Sequence, residues 1–294
     1  MSHRISEIEV SGPTKLRAES WRPAHTPRGV VVLVHGWGEH VGRYVHLTRE
    51  LGTRGFAAVG ADHRGMGASG GRRGDILSFC QYVEDLEQVL EHTRREFFGV
   101  PVVVYAHGVG ALIEMRRLME HGGVDTGVRG SLLASPVLSF SSAPALLDQL
   151  ARAVLKRAAP RMIFGAPFDA ATLCRDQEAA DARVFDRRCA IDVSAGWRCE
   201  LKRTMRDVRD GISRLRAASL WLVPTGDRLA DFRATLRSFE RLDNPRRDSQ
   251  SVHCFQGAAH ELHNEPGPLR QEIFDVCLPW IERRCDPSVA TSTG

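Results

Sequence analysis

Short apolar runs recur along the chain, each rich in β-branched residues and each closing on a turn that carries glycine, histidine or aspartate. Gly29-Val-Val-Val-Leu-Val-His is the clearest, and Phe56-Ala-Ala-Val-Gly-Ala-Asp, Pro101-Val-Val-Val-Tyr-Ala-His and Arg129-Gly-Ser-Leu-Leu-Ala-Ser repeat the theme. A run without polar alternation has no face to give to water, so it reads as a strand covered on both sides, the habit of a parallel sheet. Helical patterns lie between the runs. The best places Phe79, Tyr82, Val83, Leu86, Val89 and Leu90 on one stripe, with Glu84, Asp85, Glu87 and Glu91 opposite. Such alternation requires crossover connections, and the fold class it predicts is α/β, with a mostly parallel central sheet and flanking helices.

The alternation lapses from about Ser141 to Glu200. No good strand is legible there. Leu146, Leu147, Leu150, Val154 and Leu155 mark an amphipathic helix, and the Pro/Gly-punctuated stretch Met162-Ile-Phe-Gly-Ala-Pro-Phe168 follows. Strands and helices resume with Ser219-Leu-Trp-Leu-Val, a helix around Phe232 to Leu242, Ser251-Val-His-Cys-Phe and a final helix through Trp280 that contains Pro279. The division expected is a core over 1–140, a helical insertion over 141–200, the rest of the core over 201–285 and a disordered polar tail over 286–294.

Several functions are disfavoured by composition. No apolar run approaches the ~20 residues of a membrane helix, and Met1-Ser-His-Arg-Ile-Ser-Glu lacks the apolar stretch of a secretory signal, so a cytoplasmic location is expected. Net charge is only +4, and all but Lys15, Lys156 and Lys202 of the 40 basic residues are arginine, with Arg-Arg pairs scattered rather than gathered on one element. Nucleic acid is therefore not an expected partner. The 7 cysteines are odd in number and show no C-x-x-C spacing, so neither a disulfide framework nor a metal site is expected. No cofactor is implied either.

Open α/β sheets carry their sites at the carboxyl ends of strands. The strand exits here are distinctive: His35-Gly36-Trp37-Gly38-Glu39-His40, then Gly42-Arg43-Tyr44; Asp62-His63-Arg64-Gly65-Met66-Gly67; Ala106-His107-Gly108-Val109-Gly110-Ala111; Thr225-Gly226-Asp227-Arg228; and Gly257-Ala258-Ala259-His260-Glu261-Leu262-His263. Together with the Tyr82 to Leu86 helix, these blocks in this order resemble the monoacylglycerol lipase and lysophospholipase branch of the α/β-hydrolase superfamily, the serine aminopeptidase-like hydrolases. The resemblance spans about residues 8 to 284.

What the resemblance implies is the α/β-hydrolase fold with a helical cap over a Ser–Asp–His triad, acting on carboxylic esters of acyl lipids or small esters. Asp227 would be the acid, with Asp231 its rival, and His260 the base. The backbone N–H groups of Trp37 and Val109 would form the oxyanion hole. His35, His40, His63 and His263 are expected to hold turns together through their side chains. The departure lies at the nucleophile: where the family reads G-x-S-x-G, this chain has Ala106-His107-Gly108-Val109-Gly110, so the serine position is Gly108. Glycine offers no hydroxyl to deprotonate and no atom to acylate. His107 should point into the fold, and Cys80 and Cys174 lie elsewhere in the chain. The elbow helix also carries Glu114, Arg116 and Arg117, and Glu114 can reach Arg117 at i,i+3.

Three readings follow. In the first, the chain is a pseudo-enzyme that keeps the outline of an esterase site, strongly impaired or inactive, and binds a lipophilic acyl ester or small-molecule ester. In the second, the Asp227–His260 dyad works through water, or serves a lyase or cyclase, where no acyl-enzyme is needed. In the third, the chain is a non-catalytic acyl-ligand-binding or interaction protein. There the basic residues Arg152, Lys156, Arg157 and Arg161 of the cap would rest on a membrane or a partner.

Overall fold

In the computed structural model, which describes residues 1–123, 127–141, 159–165, 169, 172–189, 192–243 and 249–286, the apolar runs line up as the centre of one sheet. Its strands are β1 (Ser2–Glu9), β2 (Lys15–Arg22), β3 (Val30–Val34), β4 (Ala57–Ala61), β5 (Val102–His107), β6 (Ser131–Ala134), β9 (Ser219–Pro224) and β10 (Gln250–Phe255). They run in the order β1-β2-β4-β3-β5-β6-β9-β10. From β4 to β10 every pairing is parallel, while β1, β2 and β4 pair antiparallel. Two two-residue strands, β7 (Ile163–Phe164) and β8 (Val193–Ser194), form a separate ladder.

Period-two alternation sorts the central side chains into two cores. Val32, Val34, Val104 and Ala106 face α2 (Cys80–Glu96) and α3 (Val109–Glu120), whereas Val31, Leu33, Val103 and Tyr105 face α1 (Val45–Thr53) and α7 (Gly267–Cys285). In register, Val32 lies opposite Val59 on one neighbour and Val104 on the other, so the middle of β3 is enclosed by β-branched side chains. The remaining described α-helices are α4 (Gln177–Phe185), α5 (Ala195–Asp210) and α6 (Phe232–Glu240). Among the described residues, no helix is long and apolar enough to cross a membrane.

Three features differ from the sequence expectation. The β1–β2 hairpin was not anticipated, because β1 sits at the sheet edge and buries only Ile8, which leaves no apolar signal to read. The 141–200 stretch, expected to lack strands, contains the β7–β8 ladder, too short to leave a periodic pattern. The division expected at 200/201 falls inside α5. The amphipathic pattern of Leu146 to Leu155 lies outside the described residues, as do Arg152, Lys156, Arg157 and the tail beyond Asp286. Pro279 does sit inside α7.

What positions the site is the switch at the sheet centre. From β3 the chain passes to β4 on one side and later to β5 on the other, which opens a crevice beyond their carboxyl ends. The His35 turn and the Gly108 turn both emerge there.

Candidate active site

β5 ends at His107, and α3 begins at Val109, so a single residue makes the strand-to-helix turn. That residue, Gly108, has φ 58° and ψ −116°. This conformation costs a side-chain-bearing residue about 1–3 kcal/mol and glycine almost nothing. The next glycine is required by space: a Cβ on Gly110 would stand 2.2 Å from the Val34 carbonyl oxygen. At Gly108 the situation differs. A Cβ there would lie 3.0 Å from His260 Nε2 and 3.6 Å from Gly36 Cα, and would point at the imidazole.

His260 sits on the loop after β10 and is 3% exposed. Its Nδ1 donates to Asp227 Oδ2 at 2.7 Å. The other carboxylate oxygen of Asp227 accepts the amides of Leu229 and Ala230 at 2.8 and 2.9 Å, so the acid is aimed by the turn that follows β9. Asp231, the rival acid, is occupied otherwise: it caps α6, accepting from the amides of Arg233 and Ala234. Trp37 lies on the His35 turn, its ring centroid 4.7 Å from that of Trp197. Val109 opens α3, where first-turn amides have no intrahelical acceptor. The fold thus brings Gly108, Asp227 and His260 together, with the Gly36–Trp37 turn beside Gly108 and Val109 next to it in the chain.

Behind this constellation lies a buried polar layer that sequence reasoning missed. His107 does point into the fold, with Nδ1 2.7 Å from Glu39 Oε1 and Nε2 3.1 Å from the His260 carbonyl. Two oxygen acceptors call for a proton on each ring nitrogen. Burial alone would lower the His107 pKa, but Glu39 outweighs it and the net shift is upward. Burial would raise Glu39, yet His107, His263 and Arg183 hold it well below the usual carboxylate range. Ser135 donates to the same His260 carbonyl at 2.6 Å and has φ 49°, the sole positive φ outside glycine among the described residues. Glu261, pulled down to about 2 by Arg183 and Arg43 against its own burial, accepts from both arginines. Glu39, Arg43, His107 and Glu261 stood within the quoted sequence blocks, but nothing there paired them. Arg183 gave no signal, being one arginine among many on an ordinary helix.

The remaining histidines divide. His35 and His63 brace each other's turns: the His63 amide donates to His35 Nε2, and His63 Nε2 donates to the His35 carbonyl, both at 2.8 Å. His40 caps its own turn by accepting from the Gly42 amide. His263 departs from expectation. Neither ring nitrogen has a hydrogen-bond partner, and the ring stacks on Tyr44 at 4.1 Å. It acts by packing. Among the described residues, two trios have metal-ligand chemistry, Glu39–His107–His263 and His40–Asp186–Cys189. In the first, His107 has both nitrogens engaged, and Arg43 and Arg183 supply the positive charge. In the second, His40 Nδ1 accepts from a backbone amide, so its Nε2 carries the proton that goes to Asp186. In neither trio, therefore, does every member have a lone pair to give one ion.

Residues 25–267 match the sequence profile of the serine aminopeptidase S33 family. The monoglyceride lipase of Homo sapiens is 27% identical over 266 residues, covering 90% of this chain and 86% of that one. The monoacylglycerol lipase of Mycolicibacterium smegmatis is 28% identical over 276 residues, covering 92% and 94%. Among solved structures, the monoacylglycerol lipase of Paleococcus ferrophilus superposes with a TM-score of 0.79 at 25% identity, over 92% of this chain and 99% of its own.

Proposed function

We propose that this chain, which belongs to the serine aminopeptidase S33 family of α/β-hydrolases, binds acyl esters of the monoacylglycerol class in a lipase-type site without forming an acyl-enzyme. The observation that carries this is Gly108. It holds an elbow conformation, with its Cβ position 3.0 Å from His260 Nε2, beside an Asp227–His260 pair at hydrogen-bond distance. In that reading the Trp37 and Val109 amides polarise the ester carbonyl and Asp227 holds His260 in the tautomer that leaves Nε2 free. The attacking oxygen is what glycine cannot supply. Loss of a triad serine costs on the order of 10⁶ in kcat in a well-studied protease. The 141–200 stretch, read as a cap, would cover the acyl chain and meet a membrane through Arg152, Lys156, Arg157 and Arg161. Liposome co-sedimentation that survives charge reversal of those four would refute that contact.

The test is ester hydrolysis, with nitrophenyl butyrate and a monoacylglycerol, by three proteins: the chain as it stands, Gly108→Ser, and Gly108→Ser with His260→Ala. The proposal expects turnover from Gly108→Ser alone. No turnover from any of them would overturn it.

The space at Gly108 favours a second reading. A water at the Cβ position would sit within hydrogen-bond reach of His260 Nε2. It would attack the ester carbonyl while His260 takes its proton, then returns that proton to the leaving alkoxide, in one displacement. Oxyanion hole and binding alone leave about 10³–10⁴ over the uncatalysed rate. Turnover by the natural chain that His260→Ala abolishes would favour this route over the first.

A further inference from the structure

Helix α4 is built inside out. It exposes Val184 and Phe185, the latter at 82%, and buries Arg183 at 3%. Burying a guanidinium is costly unless it is paired; here both terminal nitrogens are bonded while the buried Nε is not. An amphipathic helix of ordinary purpose would turn the phenylalanine inward.

The destinations of Arg183 explain the inversion. Its Nη2 donates to the carbonyls of Trp37 and Gly38 at 2.9 and 3.2 Å, and its Nη1 pairs with Glu261 Oε1. One planar fork thus reaches two loops: the turn bearing the Trp37 amide, and the segment next to His260. Other bonds join the same surfaces. The Glu261 amide donates to the Leu173 carbonyl at 2.8 Å, and Arg43, itself paired with Glu261, reaches the Ala179 carbonyl of α4 at 3.4 Å.

We propose that Arg183 is a positioning residue through which the seating of α4 sets the geometry of both the Trp37 turn and the His260 loop. With α4 seated, the Trp37 and Gly38 carbonyls have the Arg183 donor, and Glu261 has a second cation beside Arg43. With α4 lifted, two buried carbonyls lose a donor and the buried Glu261 carboxylate is left with Arg43 and Asn264 but without its second cation, and the loops relax together. The site is therefore assembled only under a seated helix, so access and order are one equilibrium. This goes beyond the binding function above. It holds whether or not the chain turns esters over.

Hydrogen exchange by mass spectrometry on the full chain tests it, with Arg183→Met and Arg183→Lys. Arg183→Met is expected to speed exchange about tenfold or more in both 36–39 and 261–265, with β3 and β5 unchanged. Arg183→Lys keeps a charge for Glu261 but lacks the fork, so it restores protection over 261–265 and leaves 36–39 exposed. Faster exchange confined to 177–185 overturns the proposal. Should Arg183→Met fail to fold, Arg183→Lys decides alone, and equal protection of the two segments overturns it. In a Gly108→Ser background the same change lowers kcat by about tenfold or more with KM nearly constant, because the defect is in orientation rather than binding. A Gly108→Ser chain without turnover would refute the proposed function and leave the exchange result standing.

Discussion

At residue scale the molecule turns on position 108. A serine there would have to adopt φ near 58° and place its Cβ 3.0 Å from His260 Nε2, so the same change that supplies a nucleophile also strains the backbone. Gly108→Ser is therefore expected to gain esterase activity by about 10³-fold or more over the natural chain, and to lose about 1–3 kcal/mol of stability. Gly108→Ala separates the two effects. It should show the same loss in urea denaturation with no gain in turnover; a neutral Gly108→Ala would mean that the elbow is not strained. Most of this was legible in the sequence. The Gly108 elbow, Asp227 and His260 all stand in motif blocks, because each motif encodes one strand exit, and the parallel sheet brings the exits to one edge. The polar layer behind them was not legible. Ser135, Glu261 and Arg183 meet only through tertiary packing, and no local spacing announces it.

Elements show the same division between local and distant signals. The central strands were readable because burial on both faces leaves an unbroken apolar run, whereas β1 buries a single residue and left none. Helix α3 shows how a locally unfavourable pattern is absorbed. Glu114 and Arg117 are buried at 0% and 1%, yet Arg117 forks onto Glu114 at 2.7 and 2.9 Å, and Ser131 on β6 donates to the same carboxylate at 2.6 Å. The i,i+3 pairing was expected. The third partner came from the sheet. Arg117→Met, which strands a buried carboxylate, should cost about 3–5 kcal/mol in chemical denaturation, while Glu114→Leu with Arg117→Met should recover most of it. A single variant no worse than the double would show that the pair contributes nothing.

For the whole molecule, the buried histidines govern behaviour in acid. Burial pushes His35 down to about 4 and both His63 and His263 down to about 3. In the unfolded chain these groups take up protons near pH 6.5. Between that value and the folded ones, the unfolded state binds more protons than the folded state, so stability falls as pH falls. Each fully titrating histidine contributes about 1.4 kcal/mol per pH unit to that slope. His107 acts oppositely, since its raised pKa adds stability below pH 6.5, but it is one against these three and against His40 and His46, which burial also lowers. Below about pH 4.3, where a glutamate of the unfolded chain takes up a proton and the folded Glu261 does not, Glu261 adds to the loss. Thermal melts should show Tm dropping steadily from pH 7 to pH 4.5, and a flat Tm over that range would contradict the assigned burial.

Without a nucleophile at Gly108, the time a ligand spends in the site is set by how it leaves. A catalyst empties its site at a rate set by turnover, so its occupancy reports flux. A site that holds an ester and cannot consume it empties only by dissociation, and its occupancy reports concentration. Bound ester then adds stability as RT ln(1 + [L]/Kd), about 2.7 kcal/mol at a hundredfold excess over Kd. A melting temperature that climbs with added monoacylglycerol and holds steady for hours would mark the protein as a gauge of its ligand, whereas one that decays as product accumulates would mark it as an enzyme.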